Sequence, residues 1–139
     1  MNLDVQTLLV VMMINMIALS IAIPTIMGWR VSVAARLAQG ALLAQTAGWV
    51  CLVVSSNFVG QWLDRVLSTL AMVGLGTGMA LLWQSMHGWL GERRGGRLVW
   101  GIALAMPVVY GLGFQRYPFR VGWATAGLAL QMAVVCVAL

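Results

Sequence analysis

Asn15, Gln45, Thr46 and Gln131 are the polar side chains that fall nearest the middle of long apolar stretches in this sequence, and Trp49 follows Gln45 by four residues. Positions i and i+4 share a helix face, so Gln45 and Trp49 would set an amide beside an indole. Amides and hydroxyls in apolar surroundings bond to neighbouring helices, at about 0.6 kcal/mol each. The same five residues could instead line a polar-aromatic ligand pocket. Packing and binding are the chemistries these residue types offer; catalysis has no comparable support. The sequence holds no hydrolase elbow, carboxylate pair, phosphate loop or His-Glu metal motif. The run VGLGTGMA at 73–80 lacks the GxGxxG spacing and follows no strand pattern, so it is not a dinucleotide loop. Cys51 and Cys136 show no CxxC or Cys/His spacing, and they read as small apolar side chains rather than metal ligands or a disulfide. No cofactor is expected. His87 is the sole histidine; it reads as an interfacial side chain, with a pH-sensing role as the alternative its residue type permits.

A second pattern concerns close approach rather than chemistry. Gly74 and Gly78, with Thr77 beside them, have small-xxx-small spacing, which puts both glycines on one helix face. Gly101 with Ala105, and Gly122 with Ala126, repeat it. Such faces let helix backbones come close, either within the chain, across a dimer seam, or in a contact that shifts with a signal.

These residues are embedded in a chain built for lipid. Hydrophobic residues make up 62% of 139 residues and charged ones 8%, against about 25% charged in a soluble domain. No charged side chain occurs in Val5–Trp29, Leu37–Leu63, Val66–Gly91, Leu98–Gln115 or Val121–Leu139. About 20 apolar residues span a hydrocarbon core about 30 Å thick. Without water there, each crossing must satisfy its own backbone as a helix. The expectation is an all-α integral membrane protein, a single domain over 1–139, with five transmembrane helices at about 5–28, 38–57, 66–86, 98–114 and 121–139. Pro24 falls near the end of the first and Pro107 near the middle of the fourth. No charge lies deep in any span, and this argues against ion-coupled pumps, which need such groups for their relays. The net charge of +5 derives from arginines in short connections, with no lysine; anionic headgroups and topology account for them better than nucleic acid does.

The arginines also set an orientation. Arg30, Arg36, Arg93, Arg94 and Arg97 flank the first and third connections, and Arg65, Arg116 and Arg120 the other two, five against three. Cytoplasmic loops carry the excess of basic residues, so the larger set anchors the inner face. The N-terminus then lies outside, and an odd number of crossings brings the C-terminal end to the cytoplasm. Trp29, Trp89 and Trp100 fall at the inner boundary and Trp62, Tyr117 and Trp123 at the outer one, the two interfaces that amphipathic rings favour. The opening stretch has no Lys/Arg n-region and is too long for a signal peptide's apolar segment, so it reads as a retained first helix. The closing run GLALQMAVVCVAL has no polar terminator, and more polypeptide is expected to follow Leu139.

Several stretches resemble a known family. The opening Leu3-Asp4-Val5-Gln6-Thr7-Leu8-Leu9 resembles the start of the multi-spanning N-terminal modules of bacterial diguanylate cyclases, the GGDEF proteins. Ala47-Gly48-Trp49, Trp62-Leu63-Asp64 leading into Leu67-Ser68, and Tyr117 to Arg120 followed by Val121-Gly122 sit where that family has similar stretches. The resemblance implies a sensory input module in the inner membrane, working as a homodimer through the full-length protein. A cytoplasmic domain beyond it would make cyclic di-GMP from two GTP molecules. This chain has no GG[DE]EF sequence, so no catalytic, metal or nucleotide-binding residue carries over. The resulting expectation is signal input through packing along the Gly74/Gly78 face, with the bilayer as the immediate partner and the ligand unknown. The alternatives are an accessory subunit of a membrane complex and an uncoupled permease for a small neutral solute.

Overall fold

The computed structural model describes residues 5–28, 31–92 and 94–138, and these are helical with no strand among them. They form α1 (Val5–Met27), α2 (Val33–Ser55), α3 (Trp62–Leu90), α4 (Gly96–Leu112) and α5 (Tyr117–Ala138), with one 3-10 turn at Ser56–Phe58. α1, α2, α3 and α5 are each long and apolar enough to cross a membrane. α4 has 17 residues, about 25 Å of helix, somewhat less than a hydrocarbon core of about 30 Å.

Each of the five expected stretches coincides with a helix, with shifted ends. α2 starts at Val33 rather than 38, because the Ser32 hydroxyl accepts from the Ala35 amide at 3.2 Å and caps the helix. Arg36 therefore lies in the first turn of α2, exposed, where its long stem can carry the guanidinium to a polar boundary. Trp62 to Arg65, expected in a connection, form the first turn of α3. Asp64 gains there from the partial positive charge of a helix N-terminus. α3 also runs past 86 to Leu90, until Gly91 ends it at φ 86, its amide donating to the His87 carbonyl at 3.1 Å. That left-handed conformation is one glycine adopts without penalty.

Short links reverse the chain after each helix. The α2–α3 and α4–α5 links therefore share one end of the bundle, the Asn57 end. The α1–α2 and α3–α4 links share the other, the Glu92 end. α3 is the hub, packed against α2, α4 and α5, whereas α1 touches α2 alone. Trp83 centres one buried cluster with Met79, Val99, Ala103 and Val135. A second cluster nearer the Asn57 end holds Ala71, Met72, Leu75, Met106 and Tyr110. Large apolar side chains such as Ile14, Ile21, Leu104, Val108 and Leu130 remain exposed around the outside. That surface suits lipid and would be a liability in water.

The closest helix pair is α2 with α3, and glycine makes it possible. A Cβ built on Gly74 would lie 2.7 Å from the Ala44 carbonyl oxygen and 2.9 Å from the Gly48 Cα. One on Gly78 would lie 3.0 Å from the Ala41 carbonyl oxygen. The Gly74/Gly78 face is thus filled by α2 of the same chain. Thr77, on the same helix, bonds back to the Val73 carbonyl at 2.6 Å. Gly101 and Gly122 differ, because nothing lies within 4 Å of a Cβ added to either, and Ala105 and Ala126 are exposed beside them.

Candidate functional site

The structure distributes the mid-span polar residues among three helix interfaces and the outer surface. Asn15 is exposed on α1. Thr46 and Ser20 share a 2.6 Å hydrogen bond that ties α2 to α1, and the Thr46 hydroxyl also reaches the Leu42 carbonyl. Gln45 donates to the Met79 sulfur at 3.4 Å, across α2 and α3. Gln131, fully buried, donates from Nε2 to the Val99 carbonyl at 3.2 Å and the Gly76 carbonyl at 3.4 Å. α5 is thereby pinned to α4 and α3 together. The hydrogen bonds of Thr46, Gln45 and Gln131 thus fall at three different helix interfaces.

Of the topology anchors, Arg36, Arg94 and Arg97 are exposed at the Glu92 end. Arg30, Arg93 and Trp29 lie outside the described residues, as do Leu3, Asp4 and Leu139. Cys51 and Cys136 are free thiols, half-buried and exposed. Among the described residues no group of three or more His, Cys, Asp or Glu could hold a metal ion.

Trp49, of the expected ligand set, borders a sizeable cavity. The backbones of α2 and α5 do not approach closely, and residues of both border a cleft of about 790 Å³. Met72 and Leu75 of α3 with Tyr110 of α4 line its floor, and Trp49 and Leu128 stand on opposite walls. Its charged groups, Asp64 and Arg120, come from the Asn57 end together with Ser55, Ser56, Ser68 and Tyr117, and Thr125 lies further along α5. One end of the cleft is therefore polar and the other apolar.

The two charges there are built in differently. Asp64 is only 7% exposed, and its carboxylate accepts from the Ser68 hydroxyl at 2.9 Å, one turn along α3. A carboxylate has about four lone-pair sites, so most of its capacity remains open. Arg120, in the first turn of α5, lies with its guanidinium carbon 4.1 Å from the Phe114 ring centroid and 5.4 Å from that of Tyr117. Arg65 donates to the Gly111 carbonyl at 2.7 Å and lies 5.9 Å from the same Phe114 ring. Cation–π contacts of this kind contribute about 0.5–2 kcal/mol each, and they hold Arg120 by its face. Its Nε, buried, has no hydrogen-bond partner. No hydrogen bond or ion pair joins Arg120 to Asp64.

Such a site can bind. The sequence does not mark Asp64, Tyr110 and Arg120 as binding residues, because Asp64 and Arg120 sit where a charge normally marks the end of a span. The available signal was the Asp64/Ser68 pair at i and i+4, which shares a helix face. A smaller cavity of about 620 Å³ at the Glu92 end is bordered by Pro24, Arg36 and Gln39. No protein-family model, curated protein or solved structure matches the chain at a significant level.

Proposed function

We propose that this chain is a membrane-embedded sensory input module of the bacterial cytoplasmic membrane. Its five helices cross the bilayer with the N-terminus outside, and α5 brings its C-terminal end to the cytoplasm. There it regulates a diguanylate cyclase carried by the same full-length polypeptide, active as a homodimer. The family resemblance and the arginine distribution support this reading, and the observation that carries it is the cleft between α2 and α5. An occupant of the cleft acts on the spacing of two helices whose backbones do not approach closely. The Gly74/Gly78 face is already taken up by α2, so α5 is the element whose position a cue would bias. A shift of a few kcal/mol in that equilibrium suffices to change output. Filling the cleft with Ala124→Trp in the full-length protein should change cellular cyclic di-GMP several-fold, through a population shift of order 1 kcal/mol. Output equal to wild type at equal membrane abundance would count against a sensory role.

A second reading, an accessory subunit of a larger membrane complex, draws on the open faces at Gly101 and Gly122. Small residues exposed to lipid let a partner helix approach closely. Purification in fixed stoichiometry with other membrane subunits, lost on Gly101→Leu, would favour it.

A further inference from the structure

We infer that the cleft between α2 and α5 is a binding site for one phospholipid whose headgroup carries a primary ammonium and a phosphate. The inference rests on the reading above in one respect, that the Asn57 end faces the outer leaflet. The distribution of polarity sets the ligand class. Apolar walls below a polar rim call for an amphiphile, and about 790 Å³ is within the usual range for a ligand site, about 300–1,000 Å³. Length fits as well. From Arg120 to Met132, both on the cleft wall, twelve helical residues rise about 18 Å. One leaflet of a hydrocarbon core of about 30 Å is about 15 Å deep. An acyl chain entering sideways from the leaflet is matched in length by the apolar part of the wall.

The charges choose the headgroup. A half-buried arginine whose Nε has no partner calls for an acceptor, and phosphate oxygens accept from arginine in bidentate fashion. A carboxylate 7% exposed, with one hydroxyl donor, calls for a donor with positive charge. A primary ammonium brings three N–H donors, whereas a quaternary ammonium brings none. Asp64 and Arg120 border the same cleft without pairing to each other, so a zwitterion would answer both. An anionic headgroup without the ammonium leaves Asp64 unanswered and adds repulsion.

Native mass spectrometry of the purified full-length protein tests this with phosphatidylethanolamine, phosphatidylcholine and phosphatidylglycerol offered at equal concentration. Phosphoethanolamine and inorganic phosphate serve as headgroup-only arms. One phosphatidylethanolamine should be retained per chain, with neither headgroup-only probe bound. Asp64→Asn and Arg120→Gln should each weaken retention by about tenfold, the equivalent of one charge-assisted hydrogen bond. Arg97→Gln, at the opposite end, should leave it unchanged. Where a charge variant does not fold, Leu128→Trp, which blocks the apolar part of the cleft alone, should still abolish retention. Equal retention of the three lipids, retention surviving Leu128→Trp, or folded charge variants that bind as wild type would each overturn the inference. The measurement reads lipid, not signalling. Cyclic di-GMP indifferent to the cleft would refute the sensory role and leave this site standing, and failure to retain the lipid would do the reverse.

Discussion

Gly74 and Gly101 each begin a small-xxx-small pair, and the structure gives them opposite consequences on substitution. Replacing a mid-helix glycine with alanine ordinarily stabilises by about 0.5–1 kcal/mol, through reduced backbone freedom in the unfolded chain. Gly101→Ala should show that gain in full, because no atom lies within 4 Å of the new Cβ. At Gly74 the new methyl lies 2.7 Å from the Ala44 carbonyl oxygen and 2.9 Å from the Gly48 Cα, against an ordinary contact of 3.4 Å or more. Both obstacles are backbone, so no rotamer change relieves them and α2 must move away from α3. Overpacking of this kind costs about 1–3 kcal/mol, which leaves a net loss of up to about 2.5 kcal/mol after the propensity gain. The two alanine variants should therefore differ by about 1–3 kcal/mol, with Gly74→Ala the less stable. Equilibrium unfolding in mixed detergent micelles, followed by far-ultraviolet circular dichroism, measures this. Equal stabilities for Gly74→Ala and Gly101→Ala would refute the close α2–α3 approach and the packing built on it.

Two further predictions concern buried polar groups. Gln131→Glu removes the amide that donates to the Val99 and Gly76 carbonyls and sets a carboxylate against them. It should destabilise by at least about 3 kcal/mol, whereas Gln131→Leu, which also removes the unpartnered Oε1, should cost about 1 kcal/mol or less. The same unfolding assay separates the two, and equal losses would contradict the assigned donor role. Across α1 and α2, a double-mutant cycle of Ser20→Ala with Thr46→Val should return a coupling of about 0.6 kcal/mol. Zero coupling would mean that the 2.6 Å hydroxyl contact contributes nothing to holding α1.

The helices were legible in the sequence because desolvating a charge is so costly that charge-free stretches almost write out the spans. Their ends were less so. Arg36 and Asp64 look like loop residues by charge, yet a Ser32 cap and a favourable helix N-terminus draw them into α2 and α3. Helix rotation was not legible at all. Gly74 and Gly101 have the same spacing, and only the neighbour decides that one is filled and the other open to lipid. For the same reason Asn15, Thr46 and Gln131 could be named as mid-span polar residues but not sorted into an outward face and two different interfaces. Trp83 entered no expectation, although it centres one buried cluster, since a tryptophan near a span end reads first as an interfacial ring. The cleft requires α2 and α5 to stand apart, a relation between helices distant in sequence that no local pattern encodes.

Sidedness underlies the sensory reading and the lipid site alike, and cysteine labelling tests it most directly. Asn57 and Glu92 are exposed at opposite ends of α3. In a Cys51→Ala, Cys136→Ala background, Asn57→Cys should react with a membrane-impermeant maleimide on intact cells, and Glu92→Cys only after permeabilisation. Labelling of both positions from outside, or of Glu92→Cys alone, would contradict a bundle that crosses the bilayer with its charged cleft facing outward.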